Sequence, residues 1–244
     1  MKPMKTIFFD VYQTLLSADL GPSEKGWPVF SKFLNDLGVS IDPPQFQEKF
    51  GQAKQKYYLS VSDPESKFRH HNLFDLICAM FRDYGIQVEE KTLLDLIWEF
   101  RKASYSHVGI YSGVKDALDE LSQKYSLSVA SFAQSSYTKR ELEELGIAKY
   151  FSHLIFSSDI GYRKTDQEFF RICLKITGRK PAECLMIGDN YLQDVAIPKA
   201  VGLRAILIRN PLTDEQNIID DPKPDGFVKV ENMITLPSVI RSIE

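Results

Sequence analysis

The sequence has few cysteines, no basic block and no long apolar run. Its three cysteines, Cys78, Cys173 and Cys184, are far apart and lack the spacing of zinc ligands. Each stands among apolar residues, so we expect all three to be small core hydrophobes in a reducing cytosol. The net charge is −3, and no cluster of lysine or arginine gives an electrostatic case for nucleic acid or membrane-surface binding.

No apolar stretch approaches the length of a transmembrane helix. Near the start, Thr6–Phe9 is too short for a signal peptide and runs directly into an acid. We therefore expect a cytoplasmic protein without a membrane segment. A chain of 244 residues can bury a large core and can hold one domain plus an insert.

The first predicted element is a strand over Lys5–Asp10. Its residues are apolar and β-forming without alternation, which is typical of a strand buried on both faces. The strand ends at Asp10. In open α/β sheets, ligands bind at the carboxyl ends of the strands, so this carboxylate is a candidate functional group.

The region from about residue 23 to 107 has a different pattern. Apolar residues recur at helical spacing, and glycines and prolines separate the segments, with Ser62 or Asp63 as a possible cap of the third helix. We expect four helices and no strand in this block. They are Val29–Leu37, Phe46–Leu59, Phe68–Tyr84 and Leu93–Tyr105.

After Gly109, short apolar runs alternate with helical patterns. Such alternation predicts βαβ units and a parallel sheet, hence an α/β fold. The expected strands are Leu127–Ser131, Leu154–Phe156, Cys184–Gly188 and Ala205–Ile208, and the expected helices are Val114–Tyr125, Thr138–Leu145, Glu168–Ile176 and Val239–Ile243. A turn is expected up to Ile197, with helix only after it, and Pro211–Asp225 reads as a surface loop.

The sheet is therefore predicted to be interrupted. Residues 1–17 and 109–244 would form the α/β domain, and residues 18–108 would form a helical insert. A helical block beside a strand-end aspartate is well placed to act as a lid.

Three acidic residues are candidates for a metal site: Asp10, Asp189 and Asp194. Asp189 follows a predicted strand directly, so it should share the sheet edge with Asp10, and Asp194 is one loop further. Carboxylates gathered at one edge repel each other unless a cation lies among them, and oxygen ligands suit Mg²⁺. We expect Gly188 to allow a tight backbone turn beneath the acid. Taken singly, each aspartate is as well explained as a helix cap.

Three further residues could contact an anionic substrate. Lys164 lies in a loop after the third predicted strand of the sheet, where an ammonium could hold both the nucleophile's carboxylate and a phosphate. Ser131 ends a strand, and Thr14 follows Asp10, so each could donate a hydrogen bond to a phosphate oxygen. Taken alone, each is better explained as an ordinary loop or turn residue.

In this order and spacing, the residues resemble the four-motif signature of the haloacid dehalogenase-like superfamily. The motifs are Phe8–Leu15, Ser128–Ser131, Gly161–Asp166 and Ile187–Asp194. The stretch Gly188–Gly202 looks closest to the subgroup of haloacid dehalogenase-like hydrolase domain-containing proteins called Reg-2-like, and the insert resembles that family's helical cap of the first type. The resemblance implies a Rossmann-like sheet, Asp10 as a nucleophile that forms an aspartyl-phosphate, and Mg²⁺ held by Asp10, the carbonyl of Tyr12 and Asp189, with Asp194 nearby.

Tyr12 departs from the family's phosphatase pattern, which has an aspartate there as the general acid and base. Because such catalysis is worth about 10² to 10⁴ in rate, we expect metal binding with slow turnover of small phosphate esters. Tyrosine at this position also occurs in metal-independent 2-haloacid dehalogenases, which is the rival enzymatic interpretation. Against it, this chain lacks the early arginine of those enzymes and has Phe132 after Ser131. A third interpretation is a binding protein that has kept the fold without turnover.

We expect residues beside the first motif and in the helical cap to determine substrate specificity. Tyr12 and Asn190 are candidate substrate contacts because they stand next to the predicted metal ligands. In the helical insert we expect the contacts to come from basic and aromatic side chains, namely Lys25, Arg69, Trp27, Tyr57 and Tyr58.

Overall fold

A computed structural model of the chain describes residues 3–19, 23–61, 69–105, 107–209 and 228–243. The strands are β1 Thr6–Phe9, β2 Leu16–Asp19, β3 His107–Ile110, β4 Ser126–Ser131, β5 Phe151–Phe156, β6 Cys184–Gly188, β7 Arg204–Ile208 and β8 Val228–Val230. The helices are α1 Trp27–Asp36, α2 Pro43–Ser60, α3 Leu73–Asp83, α4 Glu90–Ala103, α5 Val114–Ser122, α6 Ser135–Glu144, α7 Ser157–Ile160, α8 Gln167–Thr177, α9 Ile197–Ala200 and α10 Leu236–Ser242.

The main sheet has six parallel strands in the order β5-β4-β1-β6-β7-β8. Strand β1 lies in its middle, and all four of its residues are buried. Its side chains point alternately to two apolar clusters, with Ile7 and Phe9 in one and Phe8 in the other. The unbroken apolar run is thus explained by a core on both faces of the sheet.

The helices of the second half cover these two faces. Residues of α5 and α10 join the cluster around Phe9, and residues of α8 join the cluster around Phe8. The strands and helices predicted after Gly109 are present, with ends within a few residues of the expected ones. The predicted α/β fold with a Rossmann-like parallel sheet is confirmed.

Three central strands end side by side. In the register of the sheet, Phe9 lies between Val129 of β4 and Ile187 of β6. As a result, Asp10, Ser131 and the segment after Gly188 reach the same edge of the sheet.

Helices α1 to α4 form a mainly helical insert with an apolar core of its own. Trp27 packs against Phe50 and Phe100, with ring centroids 5.1 and 4.8 Å away. Helix α2 begins with a capping box in which Asp42 and Gln45 bond each other's backbone N–H groups. Among the described residues, no helix is long and apolar enough to cross a membrane.

The chain enters and leaves the insert through an antiparallel pair, β2 and β3, which the sequence patterns did not predict. Leu16 pairs with Ile110, and Asp19 pairs with His107. We expected no strand between residues 23 and 107, and this is wrong at residue 107, where β3 begins. The predicted domain boundaries at residues 17/18 and 108/109 stay predictions. The sequence patterns also did not predict β8, because a strand of three residues is too short to give a recognisable pattern.

The third helix begins at Leu73, so the predicted start at Phe68 is wrong. Asn72 caps it by accepting a hydrogen bond from the N–H of Phe74. Residues 69–71 are not helical because they bond the loop after α7: the N–H of His70 donates to the carbonyl of Gly161 at 2.9 Å. The predicted cap at Ser62 or Asp63 and the predicted loop 211–225 lie outside the described residues.

The segment after Asp189 is more regular than expected. A π-helical turn over Tyr191–Ala196 replaces the predicted loop and continues into α9. Pro198 is in the first turn of α9, directly after the π-helical turn.

Candidate active site

Three carboxylates converge at the edge of the sheet. One oxygen each from Asp10, Asp189 and Asp194 lies within 4.8 Å of the other two. Asp10 follows β1, Asp189 follows β6, and Asp194 is carried by the π-helical turn. Strands β1 and β6 are neighbours, which brings together residues that are far apart in the sequence.

Lys164 lies among these carboxylates with only 1% of its surface exposed. Its Nζ is 2.8 Å from Oδ1 of Asp10 and also contacts the carboxylate of Asp194. Burial alone lowers the pKa of Lys164, but the charges of Asp10 and Asp194 outweigh this effect and raise the pKa overall. Lys164 is therefore a permanent cation that links the predicted nucleophile to Asp194.

One lysine does not balance three carboxylates. If all four groups are ionised, the cluster has a net charge of −2. Burial and the charges of Asp10 and Asp194 raise the pKa of Asp189 to about 8, and burial raises that of Asp194 to about 6. A divalent cation would offset this charge, and carboxylate oxygens are the ligands that Mg²⁺ prefers. The residues present therefore fit a magnesium ion.

Gly188 makes room for the carboxylate of Asp194. A Cβ atom at this position would lie 2.2 Å from Cγ of Asp194, which no side chain can tolerate. Gly188 does not have the positive φ that a tight turn would require. The glycine is therefore explained by the space that Asp194 needs, and the predicted tight turn is not present. The N–H of Asn190 donates to Oδ2 of Asp194 at 2.9 Å and fixes the carboxylate in this space.

The other predicted polar residues lie around the carboxylates. Thr14 donates its hydroxyl to Oδ1 of Asp189 at 3.2 Å, and Ser131 is buried at the end of β4. The side-chain oxygen of Asn190 accepts a hydrogen bond from the N–H of Gln193 and caps the π-helical turn. Thr14 and Asn190 thus have structural partners, while their contacts to a substrate, and that of Ser131, stay predictions.

Tyr12 points its hydroxyl toward helix α6. The hydroxyl donates to the carboxylate of Glu141 and lies 2.9 Å from Oγ1 of Thr138. Glu141 in turn accepts a hydrogen bond from Nε of Arg101 at 2.7 Å. Burial, followed by the neighbouring Tyr137 and Glu141, raises the pKa of Tyr12 well above its ordinary value, so the phenol stays neutral.

Sequence reasoning missed Arg101 and Glu141, although a signal was present. Both occupy buried stripes of amphipathic helices: Arg101 follows Leu93 and Ile97 at intervals of four, and Glu141 stands next to buried Leu142. Opposite charges on two apolar stripes indicate a buried ion pair between two helices. Arg101 comes from the insert and Glu141 from the sheet domain, so the pair joins the two at Tyr12.

Arg69 connects the insert to the third motif. Its guanidinium lies 4.2 Å from the centroid of the Tyr162 ring, and its carbonyl accepts a hydrogen bond from Nε of Arg163. Lys25, by contrast, is exposed in a short 3₁₀ turn before α1. No contact described for Lys25 joins it to the carboxylates, and a substrate-binding role for Arg69 or Lys25 stays a prediction.

The predicted aromatic residues of the insert mostly support its structure. Trp27 is buried in the core of the insert. Tyr57 donates to the carbonyl of His70 at 3.2 Å, and the hydroxyl of Tyr58 lies 2.8 Å from Nδ1 of His71. Both tyrosines therefore hold the extended segment that contacts the third motif.

The sequence profile of the family described as "haloacid dehalogenase-like hydrolase" matches residues 44–208. This range is more than half of the chain and includes Lys164, Asp189 and Asp194. The chain belongs to this family. The matched range begins after the first motif, so the position of Asp10 rests on the geometry described above.

Curated relatives and solved structures agree with this assignment. The chain is 24% identical to a glyceraldehyde 3-phosphate phosphatase of Methanothermobacter thermautotrophicus, over 87% of this chain and 89% of the relative. It is also 24% identical to haloacid dehalogenase-like hydrolase domain-containing protein 3 of Homo sapiens, over 71% of each. The crystal structure of a 2-haloacid dehalogenase from Pseudomonas syringae pv. Tomato DC3000 has the same fold, with a TM-score of 0.65, 22% identity and coverage of 99% and 100%. The predicted Reg-2-like subgroup and cap type stay predictions.

Proposed function

We propose that this hydrolase is a Mg²⁺-dependent phosphatase that acts on a small phosphorylated metabolite, with Asp10 as its nucleophile. One observation carries the proposal: a buried Lys164 bonds Asp10 within a cluster of three carboxylates, so a single cation faces three groups that can each carry a negative charge. Such a cluster is suited to a divalent cation and a phosphate together.

Asp10, Asp189 and the carbonyl of Tyr12 would hold the ion, with Asp194 beside them. A bound Mg²⁺ would supply positive charge for the phosphate oxygens of the substrate. Lys164 adds a second positive charge from the protein itself, and Ser131 and Thr14 have hydroxyls that can donate to the same oxygens.

Asp10 would act as the nucleophile in a displacement at phosphorus. A carboxylate oxygen of Asp10 bonds to phosphorus while the ester bond breaks, and the leaving alkoxide takes a proton from solvent water. Water then attacks the aspartyl-phosphate and releases inorganic phosphate, which restores the carboxylate. A covalent intermediate divides one difficult displacement into two easier ones. Lys164 holds Asp10 in place for both steps.

The site has no obvious general acid at position 12 to protonate the leaving alcohol. The residue two positions after the nucleophile is Tyr12, whose hydroxyl already donates to Glu141. Its raised pKa also makes the phenol a weaker acid, and the phenolate that could act as a base is not formed near neutral pH. We infer that turnover is slow for alkyl phosphates, which need a proton on the leaving oxygen, and faster for esters whose alcohol is acidic. Helices α1 to α4 would act as the cap over this site.

The second candidate is a metal-independent 2-haloacid dehalogenase. Tyrosine at position 12 is the observation that favours it. Against it, a departing halide needs a free cation, and Arg101, which lies over the ring of Tyr12, is already paired with Glu141. A reaction without a metal would also leave the negative charge of the three carboxylates balanced by Lys164 alone.

The test is an assay of the purified protein with p-nitrophenyl phosphate, a panel of phosphorylated metabolites and 2-chloropropionate, each with Mg²⁺ or with chelator. We expect Mg²⁺-dependent phosphate release that Asp10→Asn abolishes and that Asp36→Asn, an exposed control, leaves intact. Halide release that survives the chelator would support the dehalogenase. No product from any substrate would overturn both candidates and favour a binding protein.

A further inference from the structure

Phe132 directly follows Ser131 at the catalytic edge of the sheet, and 40% of its surface is exposed. Among the described residues, it is the one aromatic side chain classed as exposed and not as buried or half-buried. The backbone leaves the sheet here, since Ser131 is the last residue of β4. A phenylalanine is therefore open to solvent beside a residue whose hydroxyl is predicted to contact phosphate, and packing in the core does not explain it.

Phe132 is also near Asp10. Val129 pairs with Phe9 in the register of the sheet, so Phe132 and Asp10 lie three residues and one residue beyond a matched pair. With neighbouring strands about 4.8 Å apart and a rise of about 3.4 Å per residue, their Cα atoms are roughly 8 Å apart. The side chain of Asp10 is 13% exposed. Both residues are thus open to solvent at the same edge, and a small ester with its phosphate at Asp10 has its organic part within reach of Phe132.

The ring of Phe132 is supported by the insert. It packs against the ring of His70, with centroids 4.4 Å apart and planes 35° apart. His70 is fixed in turn, because its N–H donates to the carbonyl of Gly161 and its Nε2 lies 3.2 Å from Nε2 of Gln134. Burial lowers the pKa of His70 to about 3, so its ring is neutral. Phe132 therefore offers a preorganised, uncharged surface that loses little conformational entropy when a ligand binds.

The chemistry of the site favours an aromatic leaving group. Position 12 supplies no proton to the leaving oxygen, because the hydroxyl of Tyr12 is bonded to Glu141. An alkoxide leaves poorly without a proton, whereas a phenolate, the conjugate base of an acid with a pKa of about 10, leaves more readily. When the P–O bond of an aryl ester breaks, its electron pair departs on the phenolate oxygen, which then takes a proton from water.

We propose that Phe132 is a specificity-determining residue whose ring packs against an aromatic group of the substrate, and that the preferred substrates are phosphate monoesters of phenols. The proposal rests on the proposed function for the phosphate end of the molecule. Aromatic pairs attract each other by more than the apolar area they bury. Alkyl phosphates, which have no ring and a poorer leaving group, are the disfavoured class.

Phosphonates measure this contact without catalysis, because they have no ester bond to break. Benzylphosphonate has the shape of phenyl phosphate, and propylphosphonate has that of ethyl phosphate, with a CH₂ group in place of the bridging oxygen. In calorimetric titrations with Mg²⁺, the unaltered chain should bind benzylphosphonate about tenfold more tightly than propylphosphonate. Equal affinity for the two, or no binding of benzylphosphonate, would overturn the proposal.

Variants of Phe132 test the ring itself. Phe132→Ala should raise the Kd of benzylphosphonate about fivefold or more and change that of propylphosphonate by less than about twofold. Phe132→Tyr keeps the ring and should keep the preference, whereas Phe132→Leu keeps apolar bulk without a ring and should lose most of it. If Phe132→Ala unfolds too easily to be titrated, Phe132→Leu provides the comparison. An unaltered preference in the Ala and Leu variants would contradict the assigned role.

Ile176→Ala is the matched control. Ile176 is 45% exposed near the end of α8. Arg179, three residues further, donates to Thr6 at the start of β1, so this control lies toward the opposite edge of the sheet. It removes an equally exposed apolar side chain and should leave the Kd of both phosphonates unchanged. A loss of the preference in Ile176→Ala as well would show that the effect of Phe132→Ala is not local.

Kinetics separate this proposal from the proposed function. Because the chemical step is expected to be slow, KM approximates the Kd of the substrate. Phe132→Ala should raise KM for phenyl phosphate about fivefold and leave KM for ethyl phosphate and both kcat values nearly unchanged. If benzylphosphonate binds as predicted but no ester is hydrolysed, the aromatic contact stands and the phosphatase fails. If both esters are hydrolysed and Phe132→Ala changes their KM values equally, the phosphatase stands and the role of Phe132 fails.

Discussion

The hydroxyl of Tyr12 donates a hydrogen bond to Glu141, 129 residues further along the chain. Because Glu141 is paired with Arg101 of the insert, the side chain two positions after Asp10, the proposed nucleophile, anchors the insert to the sheet domain. This is a different use of the position from proton transfer. Tyr12 thus contributes its backbone to the predicted metal site and its hydroxyl to a buried polar network.

The first prediction concerns catalysis by Tyr12. Tyr12→Phe removes the hydroxyl and should leave kcat nearly unchanged, because that hydroxyl is bonded to Glu141. Loss of a true general acid would lower kcat by about 10² to 10⁴. Steady-state rates with an alkyl phosphate measure the difference, and a drop of that size would make Tyr12 the proton donor.

The second prediction restores an acid. Tyr12→Asp should raise kcat, more for alkyl phosphates than for p-nitrophenyl phosphate, because nitrophenolate leaves without needing a proton. The same change removes a partly buried ring that packs on the core, so the free energy of unfolding should fall by about 2 kcal/mol or more. Tyr12→Asn is the matched control, with the same cavity and no acid. Equal rates for the Asp and Asn variants would contradict a missing acid as the cause of slow turnover.

The third prediction concerns the buried pair of Arg101 and Glu141, whose side chains are 8% and 1% exposed. Arg101→Met leaves the carboxylate buried without its cation and should lower the free energy of unfolding by about 3–5 kcal/mol. The double variant Arg101→Met with Glu141→Leu should recover much of this loss. Urea unfolding measures both, and Lys91→Met, which removes an exposed ion pair, should have little effect.

If Arg101→Met and the double variant are equally unstable, the pairing does not explain the role of Arg101. Its contact with the rings of Tyr137 and Tyr105 would then be the more important one.

The fourth prediction concerns the carboxylate cluster and its cation. At pH 9, where Asp189 is ionised, Asp189→Asn removes one of three repelling charges, so it should raise the melting temperature of the metal-free protein. The same variant should abolish the stabilisation by Mg²⁺, which in the unaltered chain reaches about 2.7 kcal/mol at 100 times the Kd. Thermal unfolding with Mg²⁺ and with chelator provides both readouts. A Mg²⁺ shift that survives Asp189→Asn would place the ion elsewhere.

The fifth prediction concerns pH. Burial, followed by the charges of His71 and Arg163, lowers the pKa of His70 to about 3, and only 8% of the residue is exposed. In the unfolded chain its pKa is about 6.5. Folded His70 therefore stays neutral while the unfolded chain takes up a proton, so stability is full above pH 6.5 and falls as the pH is lowered toward 3.

The measurement is the free energy of unfolding against pH, compared with His70→Gln. Between about pH 6 and 4 the slope for the unaltered chain should exceed that of the variant by up to about 1.4 kcal/mol per pH unit. Because the two proteins share all other titrating groups, the difference isolates His70. Parallel curves would show that His70 takes up its proton in the folded state.

Much of the catalytic edge could be predicted because its residues follow strongly patterned strands. The apolar runs before Asp10 and Asp189 identify strands buried on both faces, and parallel strands end together. The start of α3 and the pair β2–β3 could not be predicted, since they depend on contacts between distant segments. His70 is extended because it bonds Gly161, and β2 exists because it pairs with β3.

The pairing of Tyr12 with Glu141 could not be predicted either. The apolar stripes of α4 and α6 indicate a buried pair of Arg101 with Glu141, but nothing in the sequence places Tyr12 beside it. The role of Gly188 also depends on packing, because the atom that excludes a side chain there belongs to Asp194.

The antiparallel pair β2–β3 brings the two ends of the helical insert next to each other. Asp19 and His107 are paired in register, so a short turn joining them would close a hairpin at this point. The insert is in this sense an excursion of the chain that starts and ends at one place. An exchange of its helices would have to keep a cationic partner for Glu141 if the strand ends that carry the acids are to stay undisturbed.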